Sequence, residues 1–315
     1  MFVKSTLFLN MPNNPKIYSV LVAYNSTKKE LSGVVKVLLK QTGFLVICNN
    51  SKTDLIYSHP KIKVLNFGDN LGIAKAQSLG MECAFSSGAD FVLQMDQDSL
   101  PDQNMVEFLY ESYLELVVAN YNIGLICPLN YDRDTKKFNS AKFNKSSSQK
   151  TKLEKDFNDV VFVGLALSSG SLIPRKSFQA IGGMMNELFI DLVDFEYCWR
   201  LQANGFLIAR NNKARIAHKI GEGRRSIMKI FDIAVPAPIR HYYVFRNVLY
   251  LFNRSYVPMN WKLRSILKMT FKILLYPLIL NNGTQRFKFM LLGIKDGITR
   301  KMCRIDENNC VKGLP

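Results

Sequence analysis

Apolar and polar positions over the first hundred residues alternate between two periods. Ile17–Ala23 (IYSVLVA) is a short apolar, partly β-branched run, which predicts a strand. Tyr24-Asn25-Ser26 follows as a turn and helix cap, and apolar residues then recur at helical spacing over 31–39. The alternation returns with strands predicted at 44–47 and 62–65, a helix at 73–85, and a strand at 91–95 that ends at Asp96-Gln97-Asp98. Repeated strand–helix units argue for an α/β fold with a Rossmann-like, mostly parallel central sheet flanked by helices. Such a sheet holds its ligands at the carboxyl ends of the strands.

Beyond a predicted helix at 102–119 and a strand at 123–127 the texture changes. Residues 132–158 are polar, rich in Lys and Ser and poor in large aliphatics, the composition of a mobile loop. A hydrophobic run resumes at Val160 and extends to Ile173; the Gly182-Gly183 turn and a helix over Val193–Ala203 follow. From Ile239 onward the chain is helical in pattern, aromatic and basic: HYYVFRNVLYLFNR, WKLRSILKMTFKILLYPLIL, RFKFMLLGIKDGITRK. Basic residues interleaved with Phe, Leu and Tyr at helical spacing suit a helix lying in a membrane interface. Helices packed on the preceding domain with their basic faces in water would give the same pattern.

Charge adds to this picture. The 315 residues hold 42 Lys and Arg against 25 Asp and Glu, a formal +17, which attracts phosphates of nucleic acid, of anionic lipid or of a diphosphate ligand alike. Six cysteines (Cys48, Cys83, Cys127, Cys198, Cys303, Cys310) are scattered without a C-x-x-C pair, which suggests neither a zinc site nor a disulfide framework and fits a reducing cytosol. No segment approaches the roughly 20 apolar residues of a spanning helix. A cytoplasmic protein, peripheral on the inner face of the membrane, is therefore expected.

Candidate chemistry concentrates at a few positions. Asp96 and Asp98 follow a predicted strand, where a hard divalent cation held by carboxylates could neutralise a phosphate leaving group. In FIDLVDFEYCWR, Asp194 opens a helix whose dipole favours the ionised carboxylate a proton acceptor needs; an ordinary N-cap would look the same. Glu196 and Arg200 are spaced to pair at i, i+4, and Asp191 is either a second polar contact or a turn residue. His218, after the strand-like 214–217, could complete a metal's shell or bond to backbone; His59 and His241 have less to recommend them. Gly72 opens a helix just after Asn70, so backbone N–H groups and Lys75 could meet a phosphate or ribose. Neither the P-loop nor the G-x-G-x-x-G fingerprint is present, which disfavours P-loop hydrolysis and dinucleotide redox chemistry.

Taken in order, VLVAYN, DNLGIAKAQSLG, FVLQMDQDS, SSGSLIP, IGGMMNELFIDLVDFEYCWR, AHKIGEG and IRHYYVFRN resemble bacterial rhamnosyltransferases of glycosyltransferase family 2. The resemblance runs from about Ile17 to Asn247, with a looser echo in MLLGIKDGI. It implies a GT-A fold, a donor resembling dTDP-L-rhamnose, a Mg or Mn ion, and inversion by direct displacement. By the same resemblance Asp98 is the main metal ligand, Asp96 lies near ribose and metal, His218 stands near metal and diphosphate, and Asp194 is the general base. Tyr24 and Asn25 line the nucleotide pocket, with Asn49, Asn70, Gly72, Lys75 and Gln77 beside them. Asp191, Glu196, Arg240, Tyr243 and Arg246 are expected to contact acceptor or phosphate.

Two departures from the family pattern stand out. Cys48 occupies the place of an Asp expected to accept the pyrimidine N–H, and Asn186 replaces an Asp before Glu187. The implied organisation is a catalytic domain over 1–235, with a nucleotide-sugar half to about 128 and an acceptor half over about 159–235, then a helical, basic, membrane-associating region over 236–315. The acceptor implied is a lipid-linked glycan of an O-antigen, capsule or related polysaccharide. Another donor, such as galactofuranose or an N-acetylhexosamine, would fit the same motifs. A basic nucleic-acid binder is the reading from another class; no nucleic-acid-binding motif supports it, and carboxylates at the ligand edge would repel a phosphate backbone.

Overall fold

A computed structural model of the chain describes residues 14–136, 138, 157, 159–218, 224–227, 231–234, 236–302 and 304–305. Most of the predicted 132–158 loop, Cys303 and Cys310 lie outside the described residues.

The strands are β1 (Ile17–Ala23), β2 (Phe44–Asn49), β3 (Ile62–Asn66), β4 (Phe91–Asp96), β5 (Ser99–Pro101), β6 (Ile123–Asp132), β7 (Val160–Phe162), β8 (Leu172–Pro174) and β9 (Leu207–His218), with β10 (Arg224–Ile227) and β11 (Phe231–Ala234) as a separate pair. The helices are α1 (Lys28–Gln41), α2 (Ile73–Ser86), α3 (Met105–Val118), α4 (Arg175–Ile181), α5 (Val193–Ala203), α6 (Pro238–Phe252), α7 (Met259–Ile279) and α8 (Gly283–Ile298).

The main sheet runs β3-β2-β1-β4-β8-β6-β9-β5, with β7 also on β9. Pairings among β3, β2, β1 and β4, and between β6 and β9, are parallel. Those of β8 with β4 and β6, and of β5 and β7 with β9, are antiparallel. The parallel ladders hold most of the paired residues, as expected of a mostly parallel sheet, and the antiparallel pairings are short additions to it. Its antiparallel strands are three residues long, too short to carry any period of their own.

Both faces of the sheet are covered. Along β1, Val20 and Val22 join one core cluster while Leu21 and Ala23 join the other; on β2, Val46 and Cys48 part from Leu45 and Ile47 in the same way. Burial on both sides explains the continuous apolar runs. Helix α1 begins at a capping box in which Thr27 and Glu30 satisfy each other's backbone N–H groups. Helix α2 crosses β1 and β2 so closely that a Cβ on Gly80 would overlap Val20 and the Cys48 sulfur.

The last three helices pack on one another and on α5 of the preceding region. Phe245 and Val248 of α6 meet Met269 and Tyr276 of α7 and Met290 of α8. Trp261 of α7 meets Trp199 of α5 edge-on at 4.7 Å, and the Tyr256 hydroxyl donates to Glu196 at 2.8 Å. Helix α7 nevertheless leaves one apolar stripe open: Leu263, Leu267, Phe271, Leu274 and Leu278 are between 58% and 81% exposed.

Candidate active site

A cleft of about 680 Å³ opens where β1 and β4 end, and it is lined on one bank by Tyr24, Asn50, Asn70, Gly72, Asp96, Gln97, Asp98 and His218. The other bank is formed by residues 189–195 with Ser168 and Arg240. Asp98 and Asp194, 96 positions apart in the chain, therefore share one cavity.

On the first bank, β4 delivers Asp96 at its last residue and the chain turns through Gln97 and Asp98 into β5. The Gln97 side chain accepts from the Tyr24 N–H at 2.6 Å and from the Ser26 hydroxyl at 2.8 Å, which ties this turn to the one after β1. Pairing of Ser99 with His218 brings the end of β9 alongside. Ser99 Oγ lies 2.7 Å from His218 Nδ1, which leaves Nε2 for another partner, and His218 Nδ1 is 3.7 Å from Asp98 Oδ1.

Ligand atoms of Asp96, Asp98 and His218 lie within 4.8 Å of one another. Asp96 Oδ1 is buried without any hydrogen-bond partner. Burial, then the nearby Asp194 and Asp98 carboxylates, push the Asp96 carboxyl up to about 8. An orphaned buried oxygen beside a second carboxylate and an imidazole is a donor set that fits a hard divalent cation. Such an ion would satisfy the orphan and relieve the repulsion at once.

The second bank is strained. Phe189, Asp191 and Leu192 all have positive φ, at 62°, 68° and 65°. The Ile190 N–H donates to the Leu188 carbonyl at 2.7 Å, closing a γ-turn over Phe189. Helix α5 then starts with Leu192 in the left-handed region as its N-cap, so Asp194 is the second helical residue rather than the cap. Ser168 bonds to the Asp194 carboxylate through side chain and backbone. Burial outweighs those bonds and raises its proton affinity above that of an ordinary Asp, the direction that makes a better base. Gln77 Nε2 donates to Ser168 Oγ at 2.9 Å from below.

Several residues expected at the site stand elsewhere, each for a packing reason. Glu196 is fully buried, paired with Arg200 at 2.7 Å and bonded by Tyr256, so it faces the interior. Gln77 is buried beneath Ser168, and Lys75 is exposed on α2 away from the cleft. Asn49 braces the following loop through Thr53 and Asn66, and Asn25 meets Ser51 through its backbone N–H. Cys48 points at α2 and not at the cleft, so the sulfur does not stand in for a base-reading carboxylate; Asn50 is the residue of this segment that reaches the cavity. Tyr243 and Arg246 are buried behind the second bank. Asp191 and Arg240 do line the cleft, joined by two hydrogen bonds of 2.6 and 2.5 Å. Asn50, Gln97 and Ser168 went unnoticed as site residues because single amides and hydroxyls carry no spacing signal.

Among solved structures, the chain superposes on S. aureus TarS 1–349 in complex with UDP-GlcNAc with a TM-score of 0.56 at 14% identity, covering 91% of this chain and 82% of that one. It superposes on GalNAc-T7 with UDP, GalNAc and Mn²⁺ with a TM-score of 0.53 at 13% identity, covering 80% of this chain and 54% of that one. The chain thus spans about half the length of GalNAc-T7. It is 29% identical over 293 residues to the dTDP-rhamnosyl transferase RfbF of Shigella flexneri, a match that covers 90% of this chain and 96% of the relative. The protein is a glycosyltransferase with the GT-A fold. No family model matches its sequence. In this glycosyltransferase the carboxylates and the imidazole occupy the sheet's ligand edge, as the α/β architecture requires.

Proposed function

We propose that this glycosyltransferase moves L-rhamnose from dTDP-L-rhamnose to a hydroxyl of a lipid-linked glycan, inverting the anomeric centre. The observation that carries the reading is one cleft lined by Asp96, Asp98 and His218 on one bank and by Asp194 on the other, in a chain similar along nine-tenths of its length to a protein named for that donor. Asp96, Asp98 and His218 would hold Mg or Mn. Bound there, the cation supplies positive charge against the departing diphosphate.

The remaining chemistry falls to the chain's own groups. Asp194 accepts the proton of the acceptor hydroxyl as its oxygen bonds to the anomeric carbon, and the bond to the diphosphate breaks on the opposite face. A carboxylate whose proton affinity is raised by burial takes that proton more readily than a solvated one. Asn50 and Asn70, bonded to each other at 2.9 Å, supply amides toward the nucleotide. Arg240 and Asp191 close the far side of the cleft, where acceptor groups enter.

The acceptor's lipid carrier gives the apolar stripe of α7 a role. Among the described residues, no helix is long and apolar enough to cross a membrane. Helix α7 spans about 30 Å at the usual rise and carries Lys262, Arg264, Lys268 and Lys272 with no acidic residue. We assign it to lie on an anionic membrane surface with its leucines among the acyl chains.

The deciding experiment is a donor panel: purified protein with Mn and a set of nucleotide sugars, followed by nucleoside diphosphate release. Turnover of dTDP-L-rhamnose above all other donors is expected. Preference for a UDP-sugar would overturn the donor assignment.

A further inference from the structure

Asn247 and Arg246 sit on α6, more than fifty residues after the loop that presents Asp194, and neither lines the cleft. Both are fully buried. Asn247 Nδ2 donates to the carbonyls of Leu188, Ile190 and Asp191 at 3.0, 2.8 and 2.9 Å. Arg246 Nη2 donates to the carbonyls of Glu187 and Leu188 at 3.1 and 2.9 Å, and its Nε bonds to Asn247 Oδ1 at 3.0 Å, which fixes which way the amide faces. The guanidinium lies over the rings of Tyr242 and Tyr243, and Tyr243 stacks on Phe189 at 5.1 Å.

These contacts gather on the segment that contains three non-glycine residues with positive φ. Buried carbonyls of an irregular segment have no helix or sheet ladder to pair with and must find donors elsewhere. From the other side, the Phe189 carbonyl accepts from the Ala74 N–H at 3.3 Å, and Gly72 leaves the room that the Phe189 ring fills. The loop is therefore clamped between α2 and α6, and α5 with Asp194 starts directly from it.

We propose that Asn247 and Arg246 are positioning residues for the transfer reaction: by chelating the carbonyls of residues 187–191 they hold the loop in its strained form and set where Asp194 stands in the cleft. They touch neither donor nor acceptor. The inference rests on the reading of Asp194 as the base. It also explains why a cation and an amide inside the motif FRN are buried when the same residue types at a surface would suggest phosphate contact.

The test uses the full chain with Asn247→Ala and Arg246→Lys, and Asp194→Asn alongside. Turnover and KM are measured with the donor the panel selects, affinity for dTDP plus Mn by calorimetry, folding by circular dichroism, and amide exchange peptide by peptide. Expected for Asn247→Ala is a fall in kcat of about tenfold to a hundredfold with dTDP affinity within about threefold of wild type, because misplacing the base by an ångström costs rate and not nucleotide binding. Exchange should quicken over residues 187–194 and stay unchanged in β1 and β4. Arg246→Lys, which keeps the charge but not the fork, should shift the same quantities in the same direction.

A kcat per folded molecule equal to wild type, with only a lowered unfolding midpoint, would reduce both residues to braces of the fold and overturn the inference. Should Asn247→Ala not fold, Asn247→Ser keeps one donor and carries the same comparison. Loss of turnover in Asp194→Asn with normal kcat in Asn247→Ala refutes the positioning role alone. Wild-type turnover in Asp194→Asn refutes the base.

Discussion

Asp98 leaves the end of β4, a strand hydrogen-bonded in register to β1 and β8, while Asp194 follows a loop whose backbone is in left-handed conformations at three of the five positions 188–192. The bank proposed for the metal is local architecture: regular strands end, and their carboxyl edge presents Asp96, Asp98 and His218. The bank that carries Asp194 is imposed from a distance, by donors on α6 that reach the Leu188, Ile190 and Asp191 carbonyls. One cavity can thus join a part that the sheet makes automatically to a part that holds its shape only while tertiary contacts last.

The sharpest way to separate the banks is to remove one function from each. Asp194→Asn should leave Mn-dependent dTDP binding intact and lower turnover by about a thousandfold, within the range for a lost general base; rate measurements at saturating donor check it. Asp98→Ala should weaken nucleotide binding itself. Affinity for dTDP in the presence of Mn is expected to drop about a hundredfold, equivalent to about 2.8 kcal/mol, and calorimetry with and without Mn reads it.

The seam between the banks is Gly72, with φ of 83° and room for the Phe189 ring where a Cβ would come within 2.5 Å. Gly72→Ala should cost about 1–3 kcal/mol in chemical denaturation, through backbone strain and overpacking together.

A pH series read with and without Mn probes the proposed metal bank. With the Asp96 carboxyl near 8 in the folded metal-free protein against 3.8 ordinarily, the folded state holds more protons than the unfolded one between those values. Its contribution to stability is present at low pH and is lost as pH rises toward 8. Mn should reverse that loss, raising the melting temperature more at pH 8 than at pH 6, where it must first displace a proton. An equal Mn effect at both pH values would contradict the Asp96 assignment.

Outside both banks, Leu267→Asp on the exposed stripe should change stability by less than about 0.5 kcal/mol and abolish co-sedimentation with vesicles rich in phosphatidylglycerol. Unchanged sedimentation would dismiss α7 as a membrane contact.

The legibility of the molecule follows the same division. The bounds of β1 and α5 in the structure coincide with the apolar run and the helical spacing that predict them, because periodicity reports local burial. The antiparallel insertions β5, β7 and β8 escape that logic, since three residues hold no period and their pairing is decided by partners far along the chain. Strand β6 runs on to Asp132 past the predicted Cys127, after a register shift beside Pro128 that breaks the apolar pattern without ending the strand.

Site residues divide in the same way. Asp96 and Asp98 are visible as carboxylates after a strand, and both line the cleft. Arg246 looks like a phosphate ligand because side-chain type records charge and not burial. The structure hides it behind two tyrosines, where its fork serves backbone carbonyls. Lys75 errs the other way: it follows a helix opening but faces solvent.

Because α6 emerges from the ribosome after every strand of the main sheet, the cleft is completed in order. A nascent chain that ends short of Asn247 contains the residues of β1 through β9 but lacks the side chain that donates to the Leu188, Ile190 and Asp191 carbonyls. The clasp on the loop before Asp194 is thus added by the same helix that α7 and α8 pack upon.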